Sequence, residues 1–226
     1  MKRTRPVIAI DGPVGAGKST VARELARALG FTYVNTGAMY RAVAVALRDA
    51  GVKPDAAGVE KRVESVLQSV HVELDGERIT LNGRDISNII SDPEVSDLAS
   101  RFSALAPVRA RMRELQRAAG EKGGVVMEGR DIGTAVFPDA EFKFYLDAQV
   151  EVRAERRWAE LRKKGIAADR EQVLKQLIER DRRDSARELA PLRRADDAIV
   201  IDTTGLSITE VVEELKTRVQ SGSAVG

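Results

Sequence analysis

Along this chain of 226 residues, short β-branched runs alternate with longer stretches whose apolar positions recur every three or four residues. Residues 7–10 are continuously apolar, as a strand covered on both faces requires. From Lys18 to Leu29 the side chains of Val21, Leu25 and Leu29 form one stripe, and Gly30 stops the helix. A short strand around Tyr33 and Val34 leads into a helix over 38–50, which Gly51 and Pro54 break. Helices are predicted over 93–105 and 107–119, core strands over 125–127, 142–146 and 199–201, and a closing helix over 208–219. This alternation predicts an α/β fold, a parallel sheet flanked by helices on both faces.

One stretch breaks the rhythm. Residues 70–87 read as His71-Val-Glu-Leu, Asp75-Gly76, Arg78-Ile-Thr-Leu, Asn82-Gly83, then Arg84-Asp-Ile. Asp-Gly and Asn-Gly are the strongest short hairpin signals, so a small antiparallel-β meander is expected as an insert in the parallel core. Residues 221–226 read as a frayed tail.

Composition narrows the function classes. Lysine and arginine number 37 against 35 acids, a net charge of +2, so no whole-protein field gathers nucleic acid. With no cysteine, disulfides and thiolate metal sites are excluded, and His71, the single histidine, leaves no zinc site; it reads as structural or exposed. The apolar run after Lys2, Arg3 and Arg5 ends at Asp11, too short for a signal peptide, and no segment approaches a membrane span. A cytoplasmic protein without membrane or nucleic-acid partners is expected, with a monomer as the expected state. Positive charge is concentrated in 151–194, where 14 basic residues stand against 9 acidic ones. For most of these a solvated helix face is the simple reading. Aromatic content of 4% leaves few stacking platforms for RNA.

Gly12-Pro13-Val14-Gly15-Ala16-Gly17-Lys18-Ser19, followed by Thr20, matches the P-loop pattern between a predicted strand and a predicted helix. Glycines let successive N–H groups turn inward around an anion, and the helix N-terminus adds partial positive charge. Lys18 is expected to reach the β- and γ-phosphates of ATP, with the Ser19 hydroxyl on Mg²⁺. A P-loop alone does not separate a kinase from a GTPase or a motor, but no Asn-Lys-x-Asp guanine-reading motif is evident.

Four further segments choose. Asn35-Thr-Gly-Ala-Met-Tyr40-Arg41 follows the second strand, and Arg41 offers a bidentate fork for a second phosphate. Glu128-Gly-Arg130-Asp131-Ile-Gly133-Thr134 lies just beyond a core strand, at the carboxyl edge where such sheets bind ligands. Ser100 and Arg109 lie nine residues apart across the Pro107 break. In Arg180-Asp-Arg-Arg-Asp184-Ser-Ala-Arg187, a helix would put Arg180, Asp184 and Arg187 at i, i+4 and i+7 on one face. Together with the loop, these segments make the chain resemble the bacterial cytidylate kinase family over almost its whole length.

The resemblance implies an ATP:CMP phosphotransferase of the P-loop NTPase type that also accepts dCMP. It implies a single kinase domain over 1–226, with a core (about 1–35, 106–150 and 190–226), an acceptor-binding lobe (about 36–105) and a helical, arginine-rich lid (about 151–189). By the resemblance, Thr36, Tyr40, Arg41, Ser100, Arg109, Arg130, Asp131, Arg180, Asp184 and Arg187 hold the acceptor. Asp131 accepts from the cytosine amino group and Asp184 from the ribose hydroxyls. Of the lid arginines Arg153, Arg156 and Arg157, the first and last share a face and are assigned to the reacting phosphates with Lys18, Arg130 and Asp131. Asn35 departs from the acidic residue expected there. The alternatives are the same reaction on UMP or AMP, or a nucleotide-binding module without turnover.

Overall fold

The computed structural model describes residues 3–75 and 78–222. In chain order it contains β1 (Val7–Asp11), α1 (Lys18–Leu29), β2 (Thr32–Asn35), α2 (Thr36–Asp49), α3 (Val59–Leu67), β3 (Val72–Asp75), β4 (Arg78–Leu81) and β5 (Arg84–Asp85). Then follow α4 (Pro93–Phe102), α5 (Ala106–Gly120), β6 (Val125–Glu128), β7 (Phe142–Asp147), α6 (Val150–Lys163), α7 (Arg170–Ser185), β8 (Ile199–Asp202) and α8 (Ile208–Ser221). The chain divides into two compact units, Met1–Tyr33 with Gly120–Gly226, and Val34–Ala119.

The first unit is built on a parallel sheet of order β2-β6-β1-β7-β8. β1 is its central strand, with Ile8 in register with Val126 on one side and Phe142 on the other. Every residue of β1 is buried, which is why residues 7–10 are apolar without alternation, Asp11 alone being polar. Ile8, Ile10, Val126, Phe144 and Leu146 pack with Val21 and Leu25 of α1 and with Val211 and Leu215 of α8 in one core. A capping box starts α8: the Ser207 hydroxyl accepts from Glu210 N–H while the Glu210 carboxylate accepts from Ser207 N–H.

The second unit centres on α2, whose residues Ala42 to Val45 and Leu47 are fully buried. α3, α4 and the three-stranded antiparallel sheet β3-β4-β5 pack against it. The meander expected for 70–87 is therefore present. Its Asn82-Gly83 turn has positive φ at both residues, 50° and 78°, as a two-residue hairpin demands. The other expected turn, at Asp75-Gly76, lies outside the described residues, as does the tail beyond Gly222. α3 was not foreseen, although Val59, Val63 and Leu67 are buried at helical spacing. The helix expected over 93–105 ends at Phe102, because the Ser103 hydroxyl donates to Ser100 O at 2.7 Å and the chain turns there. Among the described residues, no helix is long and apolar enough to cross a membrane.

Candidate active site

β1 ends at Asp11 and α1 begins at Lys18, so the residues between must reverse from strand to helix in six steps. Glycines make that reversal possible. Gly12 has φ +145°, and a Cβ there would run into Leu146 O; Gly15 has φ +80°, and a Cβ would lie 2.8 Å from Arg153 O. The loop therefore curls with β7 and α6 against its backbone. Lys18 is buried and donates to Pro13 O at 2.6 Å, across the loop's own mouth. Burial, with the nearby charge of Arg130, pushes its amine down to about 7. A phosphate entering the loop would add countercharge to that of Glu128 and Asp11. The Ser19 hydroxyl donates to Glu128 Oε1 at 2.9 Å.

Glu128 ends β6, beside β1, and the chain keeps to β1 for one bond more: Gly129 N–H donates to Ile10 O at 2.9 Å. A short π-helical turn follows at 132–136, and Asp11 accepts from the first two of its N–H groups, Ile132 at 2.8 Å and Gly133 at 2.7 Å. Burial pushes the Asp11 carboxyl up to about 7 against these bonds, and the Asp131 charge adds to the rise. Arg130 and Asp131 project from a loop thus pinned to the end of β1. Neither Asp11 nor Glu128 received a role from the sequence; Asp11 immediately precedes the phosphate loop and Glu128 opens the Arg130-Asp131 segment, and only folding makes them buried neighbours of Lys18.

The arginines expected on one helical face converge on Asp184, though not as the spacing implied. Asp184 Oδ2 accepts from Arg130 Nε at 3.1 Å, and Arg180 Nε stands 4.0 Å from it. Arg187 lies beyond the end of α7 rather than at i+7 within it, because the helix closes at Ser185 with Ala186 as its cap. The chain still folds Arg187 back, its Nε donating to Asp184 O at 3.1 Å and its Nη2 lying 3.6 Å from Oδ1. Burial works against the Asp184 charge, yet the guanidinium groups of Arg130, Arg180 and Arg187 outweigh it and hold the carboxyl below its ordinary value. Burial likewise opposes the charge on Arg130, and Asp184 with Glu128 more than restores it.

The three arginines expected on a lid part company. Arg153 is buried and donates to Ala148 O, Val14 O and Asp181. Arg156 donates to Thr203, through Nη1 to Oγ1 at 3.0 Å and Nη2 to the carbonyl at 2.6 Å. Arg157 pairs with Glu160 at 2.8 Å. Trp158 is clasped between Arg162 and Arg170, with its indole N–H on Ala168 O, and so ties α6 to α7.

In the second unit, Asn35 caps α2 by accepting from Ala38 N–H, a role that an acidic residue fills equally well. Thr36 opens that helix, buried. The Arg41 guanidinium folds back over Gly37, where a Cβ would come within 3.4 Å of it. Tyr40 carries the guanidinium of Arg109 above its ring at 5.9 Å, and Arg109 Nη1 donates to Ser103 O at 3.3 Å. Ser100, Ser103 and Arg109 are all buried, a cluster of polar groups inside a small unit. Ser103 was missed; its only signal is its position in the break between two helices.

A phosphate loop at the edge of a parallel sheet, with a buried lysine in its mouth and a second arginine-rich pocket in the same unit, defines a nucleotide-dependent phosphotransferase. The family model for cytidylate kinase matches residues 8–221. A cytidylate kinase of Carboxydothermus hydrogenoformans is 49% identical over 209 residues, covering 92% of this chain and 94% of that one. One of Citrifermentans bemidjiense is 46% identical over 223 residues, covering 97% and 95%. The chain belongs to the cytidylate kinase family. Its fold is shared with an uncharacterized protein of Eubacterium ventriosum, at a TM-score of 0.53 and 14% identity over 96% of this chain and 99% of that one. A Thermus thermophilus protein gives 0.50 at 22% identity, over 97% and 98%.

Proposed function

We propose that Lys18 and the loop around it hold the phosphates of ATP while the arginines gathered on Asp184 grip the acceptor, in an enzyme that moves the γ-phosphate onto CMP to give CDP and ADP. The observation that carries this reading is the second set of phosphate-type donors in the unit that holds the P-loop. A switch or a motor needs one polyphosphate cradle; a nucleoside monophosphate kinase needs a cradle and a further grip.

In this reading the N–H groups of Gly12 and of Val14 to Thr20 cradle the donor phosphates, and Lys18 follows the charge to the transferring group. Arg130, Arg180 and Arg187 hold the acceptor phosphate, with Asp184 accepting from the ribose. Asp131 accepts from the cytosine amino group, a donor that uracil replaces with a carbonyl. Arg41, Tyr40, Thr36, Ser100 and Arg109 supply the acceptor contacts of the second unit. Arg153 and Arg157 are the lid arginines assigned to the developing charge. Catalysis then comes from positioning and charge, without a side-chain base.

The residues present fit a magnesium ion. Among the described residues no cluster of three or more acidic or histidine ligands could cage a metal. The Ser19 hydroxyl beside the Glu128 carboxylate is a hard oxygen pair suited to an ion that takes most of its ligands from phosphate and water. When bound, the ion would neutralise charge on the β- and γ-oxygens.

The test is ADP release from Mg-ATP with CMP, dCMP, UMP, AMP and GMP offered separately. Strong turnover with CMP and dCMP, weaker with UMP and none with purines is expected. A preference for UMP or a purine would overturn the base role of Asp131, and no turnover with any acceptor would overturn the kinase.

A further inference from the structure

The phosphate loop already holds an anion of the protein's own. Asp181 lies on α7 between Arg180 and the Asp184 pocket, and its Oδ1 accepts from the Val14 N–H of the loop at 3.3 Å. Its Oδ2 accepts from Arg153 Nη1 at 2.5 Å. The same Nη1 donates to Val14 O at 3.0 Å, and Arg153 Nε donates to Ala148 O at 2.9 Å. The main chain of Arg153 presses on Gly15, where there is room for hydrogen only. Carboxylate, guanidinium and loop thus form one contact, largely shielded from solvent, with side-chain exposures of 18% for Asp181 and 8% for Arg153.

A P-loop N–H and an arginine fork are the two kinds of donor that a phosphate oxygen seeks. An N–H carries one proton, so a carboxylate and a phosphate oxygen cannot both take it at full strength, and two anions crowded there repel with little screening. We infer that Asp181 is a further residue of the donor site: its carboxylate competes for the place at Val14 N–H that a phosphate oxygen of ATP takes. It thereby sets how tightly the loop holds ATP. This rests on reading Gly12 to Thr20 as the donor cradle. Its signature is a sign. A carboxylate that merely braces the loop weakens ATP binding when neutralised, whereas one that competes for the loop strengthens it.

The experiment is calorimetric titration of Mg-ATP into wild type, Asp181→Asn and Glu179→Gln, with the amide spectrum of each free protein recorded alongside. Asn keeps the shape and removes the charge. Glu179 is an exposed acid on the same helix, paired with Arg182, and controls for the general field. The Kd of Asp181→Asn is expected to fall about threefold to tenfold, the effect of one partly screened charge, while Glu179→Gln stays within about twofold of wild type. The Val14 amide resonance should move in Asp181→Asn and stay in Glu179→Gln. Unchanged or weaker binding by Asp181→Asn overturns the inference, as does tighter binding with an unmoved Val14 amide. Lys18→Ala separates this from the underlying reading: if it binds ATP as wild type does, the cradle itself falls and the role of Asp181 with it; if it loses ATP, the cradle stands and Asp181 is judged alone.

Discussion

Asp184 gathers three guanidinium groups around one buried carboxylate, and its removal should be felt in stability before catalysis. Replacing it with asparagine leaves three guanidinium groups crowded without their anion, a loss of about 3 kcal/mol at neutral pH. The pH dependence has a definite sign. The folded carboxyl titrates below its ordinary value of 3.8, so its contribution is complete above that value and is lost as pH falls through the folded one. Denaturant unfolding of wild type and Asp184→Asn should therefore show a gap at pH 7 that narrows in acid; a gap constant with pH would refute the hub. In turnover, Asp184→Ala should lower activity on both CMP and dCMP, since Arg130 loses its anchor in either case, and lower it further on CMP. Equal losses on the two would remove the ribose role. Lys18→Ala should cut kcat by about 10²–10³-fold, the usual worth of one preorganised charge on the reacting group. Lys18, Arg130, Asp184 and Arg187 could be named from motifs because chemistry restricts those positions to few residue types. Asp11, Glu128, Ser103 and Asp181 could not, since an acid or a serine is common and only its burial gives it meaning.

At the scale of elements, period and punctuation carried most of the reading. α1 spans the expected residues because a glycine at each end leaves no alternative. α3 escaped notice because nine residues of mixed polarity after Pro54 give a short stripe that tertiary burial completes. The extension of α7 to Arg187 failed for the opposite reason: an i+7 spacing looks helical whether or not the backbone continues, and here the chain turns at Ala186. Two substitutions test the packing. Leu215→Ala opens the seam between α8 and α1 in a fully buried core and should cost about 3 kcal/mol in chemical denaturation. Gly15→Ala forces a Cβ onto Arg153 O at a positive φ, and should weaken ATP binding at least about tenfold while leaving the secondary-structure signal in place. Normal binding by that variant would mean that α6 does not constrain the loop.

Over the whole molecule, the net charge of +2 conceals a basic excess in 151–194, and much of it is absorbed locally. Arg157 and Lys164 share Glu160, Lys175 meets Glu171, Arg170 meets Glu155 and Arg182 meets Glu179. Of the remainder, Arg153 faces the loop and Arg180 and Arg187 face Asp184, while Lys163, Arg193 and Arg194 stay exposed. Ligands should therefore act on the stability of the entire chain: CMP with Mg-ADP, each at about a hundred times its Kd, should raise the melting temperature by about 5–10 °C or more. UMP in place of CMP should give a smaller rise; an equal one would count against Asp131 as the reader of the base. The amino-acid sequence by itself determined the fold class, the phosphate loop and the family, because strand and helix periods, glycines at a reversal and clustered arginines are local restrictions that few residues satisfy. Only the tertiary structure decided which charges are buried together. The pinning of Arg130 and Asp131 by Asp11, the closing of Arg130 on Asp184 and the seating of Asp181 in the loop each join positions more than fifty residues apart. Their energies come from desolvation, which no spacing along the chain records.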